Sequence, residues 1–226
     1  EIPLRLVGSE MCIRDRTDTW GKYNVGTILF EDKAPETKGS DVYHRIIPDA
    51  ESYIKAQARE VLATLYNSPD DSIPTVNKIH YTLEDIEGVS AKGGGNGDVT
   101  IFYSTRHIEK SFAKNDTAKL FFETRGVLLH ELTHAYQLEP QGIGSYGTNR
   151  VFWAFIEGMA DAVRVANGGF DGPNARPKGG NYMDGYRTAG YFFVWLRDNK
   201  DPEFLRKFNR STLEVVPWSF DGAIKH

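Results

Sequence analysis

The sequence predicts an α+β fold, with a small N-terminal mixed sheet packed on one long helix and a mainly helical C-terminal part. Three observations carry this. Stretches rich in β-branched and aromatic residues lie in the first half of the chain. An apolar, helix-spaced segment, GVLLHELTHAYQ at 126–137, follows them. Beyond it, long apolar runs return with helical spacing and helix-ending glycines.

In order, Tyr23 to Glu31 (YNVGTILFE) reads as a strand, and Asp32 to Ser40, with Pro35 and Gly39, reads as a loop. Asp49 is a good N-cap for a helix from Ala50 to Tyr66, in which Ile54, Ala58, Val61, Leu62 and Leu65 share one face. Val76 to Leu83 and Val99 to Ser104 read as strands, separated by a glycine-rich loop over Lys92 to Asp98. Gly93-Gly94-Gly95 has neither a following Lys-Ser/Thr nor Gly-x-Gly-x-x-Gly spacing, so it reads as a flexible turn rather than a phosphate cradle. Three strands and one helix are thus expected ahead of the 126–137 segment. Val151 to Ala166 predicts a second buried helix closed by Gly168-Gly169, and Tyr186 to Asp198 a third. Between them, 167–185 holds six glycines and two prolines and reads as an irregular segment of the kind that borders a cleft. Asp171, Asn174 and Asp184 within it lack the spacing of a calcium loop. Asp201-Pro202 opens a last short helix reaching Phe208.

Composition excludes several classes of function. With 226 residues, 40% hydrophobic and 26% charged, the chain has the make-up of a globular protein, and no run approaches a transmembrane span. A net charge of −4 and a pI near 5.9 give no reason to expect nucleic acid or anionic membrane as a partner. Cys12 stands alone, so no internal disulfide and no cysteine metal site can form. Residues 8–16, GSEMCIRDR, match the translation of a sequencing adapter. Residues 1–16 are therefore expected to be non-native or disordered, with one domain over 17–226. The N-terminus has no basic start, apolar run and small-residue cleavage site, and the Asn115 and Asn209 sequons occur at the frequency chance provides.

The chemistry concentrates in HELTH. His130 and His134, at i and i+4, project from one face of a helix. Neutral imidazole suits Zn²⁺, and a catalytic zinc takes three protein ligands and keeps one position for water. Glu131 cannot easily ligate beside His130, but it can lean toward the open position and take a proton from the water there. His44 and His80 lie in contexts that suit structural or surface histidines.

A third ligand is expected from the second helix. Glu157 and Asp161 lie four apart in an otherwise apolar run, and burying two unpaired carboxylates costs several kcal/mol. Either they meet a metal held with the histidines, or Arg150, Arg164 or backbone groups satisfy them. The first reading gives His130, His134 and Glu157 as zinc ligands, with Asp161 accepting the other ring N–H of a ligating histidine. Exchanged roles for Glu157 and Asp161 are the alternative.

GVLLHELTHAYQ (126–137), FIEGMADAVR (155–164) and DGYRTAGYFFVWL (184–196) together resemble the basic secretory protease family, the peptidases of plants and bacteria, over roughly residues 42–210. The chain has Tyr136 where that family usually has tryptophan, and it is acidic. The resemblance implies a zincin-like fold, zinc peptidase activity on a protein or peptide substrate, and export from the cell. It also makes Tyr186, in the GY segment, the phenol expected to hydrogen-bond the oxyanion. A monomer is expected, and Val99 to Ser104 is the expected edge strand for an extended substrate. Other zinc hydrolases, aminopeptidase or glycopeptidase, and a non-catalytic binding module are the competing readings.

Overall fold

A computed structural model of the protein describes residues 19–170 and 175–226. Residues 1–16, with Cys12, lie outside the described residues, as do Asp171 and Asn174. Four strands, β1 (Thr27–Asp32), β2 (Lys78–Glu84), β3 (Ser90–Gly95) and β4 (Asp98–Ser104), form one sheet in the order β1-β2-β4-β3. β1, β2 and β4 run parallel, while β3 runs antiparallel to β4. The fold class is therefore mixed α+β, with the small mixed sheet N-terminal and the helices concentrated after it.

Alternation along the strands decides which face is covered. Ile28, Ile79 and Val99 form one row across the sheet, Phe30, Tyr81 and Ile101 the next, and Leu83 and Tyr103 a third. Of these only Phe30 keeps appreciable exposure. This apolar face packs on helices, and the other carries Leu29, His80 and Thr100, as period-2 patterning requires.

Helix α1 (Lys38–Ile46) falls partly where a loop was expected. Thr37 caps it by accepting from Ser40 N, and Gly39 fits because a Cβ there would lie 2.2 Å from Thr105 O. Helix α2 (Ala50–Leu65) starts after Asp49 as expected, the carboxylate accepting from Ser52 N at 3.0 Å. Its apolar face, Ile54, Ala58, Val61, Leu62 and Leu65, is buried. A short helix α3 (Thr105–Ser111) leads from β4 toward α4 (Thr117–Tyr136), which is capped by Asp116 and carries HELTH. Hence, among the described residues, β3, α1 and α3 precede the motif helix in addition to the three strands and one helix that the sequence suggested.

Two strand expectations are corrected. Lys92 to Asp98 is not simply a loop: β3 extends through Gly95 and pairs with β4 from Ser90↔Tyr103 to Gly95↔Asp98. β4 is accordingly an interior strand, hydrogen-bonded on both sides, and the strand beside the motif helix with a free edge is β3. Glycine-rich composition hides β3 because its pairing comes from β4 rather than from its own side chains.

After α4 the chain returns as α5 (Arg150–Ala166), capped by Asn149, and then as a 3₁₀ turn (Tyr182–Asp184) and α6 (Tyr186–Asn199). α5 and α6 touch almost backbone to backbone: a Cβ on Gly190 would fall 2.8 Å from Ala162 N. Helix α7 (Phe204–Glu214) begins later and runs further than Asp201–Phe208, and α8 (Phe220–Lys225) was not expected. Phe155, Phe193, Phe208, Trp218 and Phe220 interlock there, with Phe155 to Trp218 centroids 4.7 Å apart and Trp218 to Phe220 centroids 4.9 Å apart. Buried apolar side chains from Trp20 to Phe220 form one contiguous core. Among the described residues no helix is long and apolar enough to cross a membrane.

Candidate metal centre

The last two turns of α4 face the middle of α5. His130 Nε2 and His134 Nε2 lie 3.1 Å apart, and Glu157 Oε2 lies 3.3 Å from the first and 3.8 Å from the second. Donor atoms at about 2.0–2.2 Å from one tetrahedral ion would be roughly 3.3–3.6 Å apart, so this trio has the dimensions of a zinc ligand set. Glu157 Oε2 is also buried without a hydrogen-bond partner among the described residues, whereas its Oε1 accepts from Tyr146 Oη at 2.7 Å. A buried carboxylate oxygen left unpaired between two imidazole nitrogens fits a cation. Among the described residues these are the side chains that could hold a metal ion, their ligating atoms all within 4.8 Å of one another.

Electrostatics of the metal-free site point the same way. Burial drives the His130 imidazolium toward neutrality, but the hydrogen bond to Asp161 and the nearby Glu157 carboxylate outweigh it and push its pKa up to about 10. His134, lowered by burial and then by the charge on His130, falls to about 3. Without an ion, then, the carboxylates favour the protonated form of His130, and that charge disfavours a second one on His134. Burial raises Glu157, yet its contacts to the two histidines overcome this and leave it below the usual carboxylate range. Glu131, only 6% exposed, is raised, chiefly by burial, against the opposing pull of His130 and hydrogen bonds from Ser90 and the Lys92 backbone. The predicted base therefore touches β3.

Each histidine has a partner on its far nitrogen. Asp161 Oδ1 lies 2.7 Å from His130 Nδ1, and Gln137 Nε2 lies 2.9 Å from His134 Nδ1. The Gln137 Oε1 is meanwhile buried and has no partner among the described residues. A half-turn of the amide exchanges two near-isosteric atoms, bringing Oε1 to an Nδ1–H and leaving the His134 Nε2 lone pair for a metal. Gln137 belonged to the motif segment but had no role read from sequence. Its place one turn after His134 was the available signal.

Tyr186 opens α6 with φ at 41° and stacks over His130, centroids 6.1 Å apart and planes 14° apart, with Trp153 edge-on at 5.4 Å. His130, Glu131, His134, Glu157, Asp161 and Tyr186 all line one cleft of about 840 Å³. Tyr146, from the α4–α5 connection, also lines it, and sequence reasoning missed it because nothing in its spacing ties it to the motif. The rival partners for the acids lie elsewhere. Arg150 sits over Trp153 with Cζ 3.8 Å from the ring centroid, and Arg164 bonds Glu123. His44 pairs with Asp32 and His80 with Glu31, both away from the cleft, and Asp184 caps its own turn at Asn181 N.

The family model for peptidases of plants and bacteria matches residues 26–226. The chain belongs to that family. No curated protein matches it. A solved structure from Bacteroides caccae, described as a candidate zinc-binding metallopeptidase, aligns at 16% identity over 92% of this chain and 95% of that one. Its TM-score is 0.25, too low for the likeness to carry an argument about fold. In this peptidase the cleft lies between the edge strand β3 on one side and α5 with the start of α6 on the other.

Proposed function

We propose that this peptidase is a zinc-dependent hydrolase of peptide bonds of the HExxH type, with a zincin-like architecture in a single domain from residue 17 onward. The observation that carries the reading is the buried, unpartnered Glu157 Oε2 set against two imidazole Nε2 atoms. His130, His134 and Glu157 would hold the ion, and Asp161 and Gln137 would orient the two imidazoles through their Nδ1 atoms. When bound, zinc supplies Lewis-acid polarisation of the scissile carbonyl and lowers the pKa of water.

The chain's own residues do the rest. Glu131 accepts the proton of the attacking water at its carboxylate and passes it to the departing amine. Its raised pKa makes it a better acceptor of the water's proton, and the departing amine, a far stronger base than any carboxylate, still takes that proton from it. Tyr186, stacked beside His130, donates its phenol proton toward the oxyanion, and Tyr146 holds Glu157 through Oε1. β3 offers its free backbone edge to an extended substrate, in place of the Val99–Ser104 strand expected from sequence. Export from the cell, which follows the family resemblance, and a monomeric state complete the reading.

Glu131→Gln is the deciding experiment. The variant should keep one zinc per chain by metal analysis and lose about 10³-fold or more in kcat on a casein or peptide-library assay. Cleavage at the wild-type rate would overturn the assignment of the base.

A further inference from the structure

One end of the cleft is cationic, and the proposed reaction makes no use of it. Arg164 of α5 lines the cleft although only 6% of the residue is exposed. One arm of its guanidinium is engaged: Nη2 donates to Glu123 Oε2 at 2.8 Å, while the other oxygen of Glu123 meets His107 Nε2 at 3.1 Å. The Nε–H is buried and has no acceptor among the described residues. Gly126 of α4 makes room for it, since a Cβ there would fall 2.5 Å from Arg164 Nε.

A second guanidinium joins the first. Phe170 carries Arg164 Cζ 3.8 Å from its ring centroid and Arg187 Cζ 5.4 Å from the same centroid. A ring attracts each cation modestly, but two like charges gathered on one ring repel. Arg187 also sits in the first turn of α6, where the helix dipole disfavours a cation, and the N-cap Gly185 supplies no side-chain hydrogen bond. Among the described residues Glu123 is the one carboxylate bonded to either arginine, and it is shared with His107. A surplus of positive charge lining a cleft, with a buried donor left without an acceptor, is the complement of an anion.

We propose that this end of the cleft is a subsite for a carboxylate of the substrate, either an Asp or Glu side chain near the scissile bond or the free C-terminus of a peptide. The inference rests on the peptidase reading of the neighbouring centre. Arg187 provides the accessible fork, Arg164 Nε–H the buried donor that fixes the depth of the carboxylate, and Phe170 the ring beside which both guanidiniums gather. A neutral amide in the same place leaves Arg164 Nε without a charged acceptor.

The test compares matched peptides that differ by Glu against Gln at each position flanking the cleavage site, each with a free or an amidated C-terminus. Values of kcat/KM are measured with the zinc-loaded enzyme, and equilibrium binding of the same peptides with the metal-free chain. The wild type should favour the acid-bearing member of one pair by about tenfold or more, as a charge-assisted hydrogen bond does. Arg187→Gln should collapse that ratio and Arg187→Lys should restore part of it. The pair that shows the preference tells side-chain carboxylate from C-terminus. Cleavage without discrimination overturns the subsite and leaves the peptidase reading standing. Absence of cleavage, with binding by the metal-free chain that still favours the acid and loses that preference in Arg187→Gln, keeps the subsite and overturns the peptidase reading. Neither cleavage nor discriminating binding overturns both.

Discussion

Helices α4 and α5 pack on each other at the cleft and reach the same site by different routes. α4 delivers His130, Glu131 and His134 within five residues, their mutual positions set by helix geometry alone. α5 delivers Glu157 and Asp161, also one turn apart, yet neither has a role until α4 lies opposite. Asp161 then meets a ring Nδ1, and Glu157 meets the two Nε2 atoms. Local periodicity therefore selects which side chains share a face, and tertiary packing selects which carboxylate meets both Nε2 atoms and which meets Nδ1.

The sharpest way to break this contrast is to exchange the two acids for amides. Glu157→Gln should weaken zinc binding by about 10³-fold in a competition titration against a chromophoric chelator, whereas Asp161→Asn should cost roughly 10- to 100-fold. The reverse order would exchange their roles. The placement of α5 itself is tested by Gly190→Ala, whose Cβ would press on Ala162 N at 2.8 Å and Asp161 Cβ at 2.9 Å. It should destabilise the fold by about 3 kcal/mol in chemical denaturation and weaken zinc binding with it, because Asp161 shifts.

Smaller effects lie at the rim of the two helices. Burial raises Glu123, but His107 and Arg164 outweigh it and hold its pKa below the usual carboxylate value. Its stabilisation is thus fully present above a pH of about 4.3 and disappears as pH falls through the depressed native value. Glu123→Gln should lose about 2 kcal/mol at neutral pH and show a flatter acid limb, the two stability curves converging below about pH 4. Smallest of all, Gln137→Leu should reduce zinc affinity by about tenfold while the melting temperature of the metal-free chain changes little.

Legibility in the sequence followed the same division. The helix from Ala50 was read within one residue because Asp49 caps it and a single apolar stripe buries it, both short-range signals. His130, Glu131, His134, Glu157, Asp161 and Tyr186 were all named from spacing or family motif, and all line one cleft. β3 escaped because Ser90 to Gly95 contains no β-branched or aromatic residue and takes its extended form from β4. α1 escaped because Pro35, Gly39 and Ser40 imitate a loop, although Gly39 is there to let Thr105 approach. Tyr146 and the Arg164–Phe170–Arg187 grouping depend on residues brought together across separate elements, a relation no local period records.

The edge strand has one consequence for how substrates drift along the cleft. β3 ends in three glycines and begins with Ser90 and Ala91, which leaves Lys92 as its one long side chain. A strand with so few side chains fixes pairing more firmly than frame, and an extended chain can shift along it by two residues and find similar hydrogen bonds. On the proposed reading, the place of the cut is then decided mainly by whatever grips side chains on the opposite wall. Changes in sequence preference can accumulate on α5 and α6 while the strand that carries the substrate stays as it is.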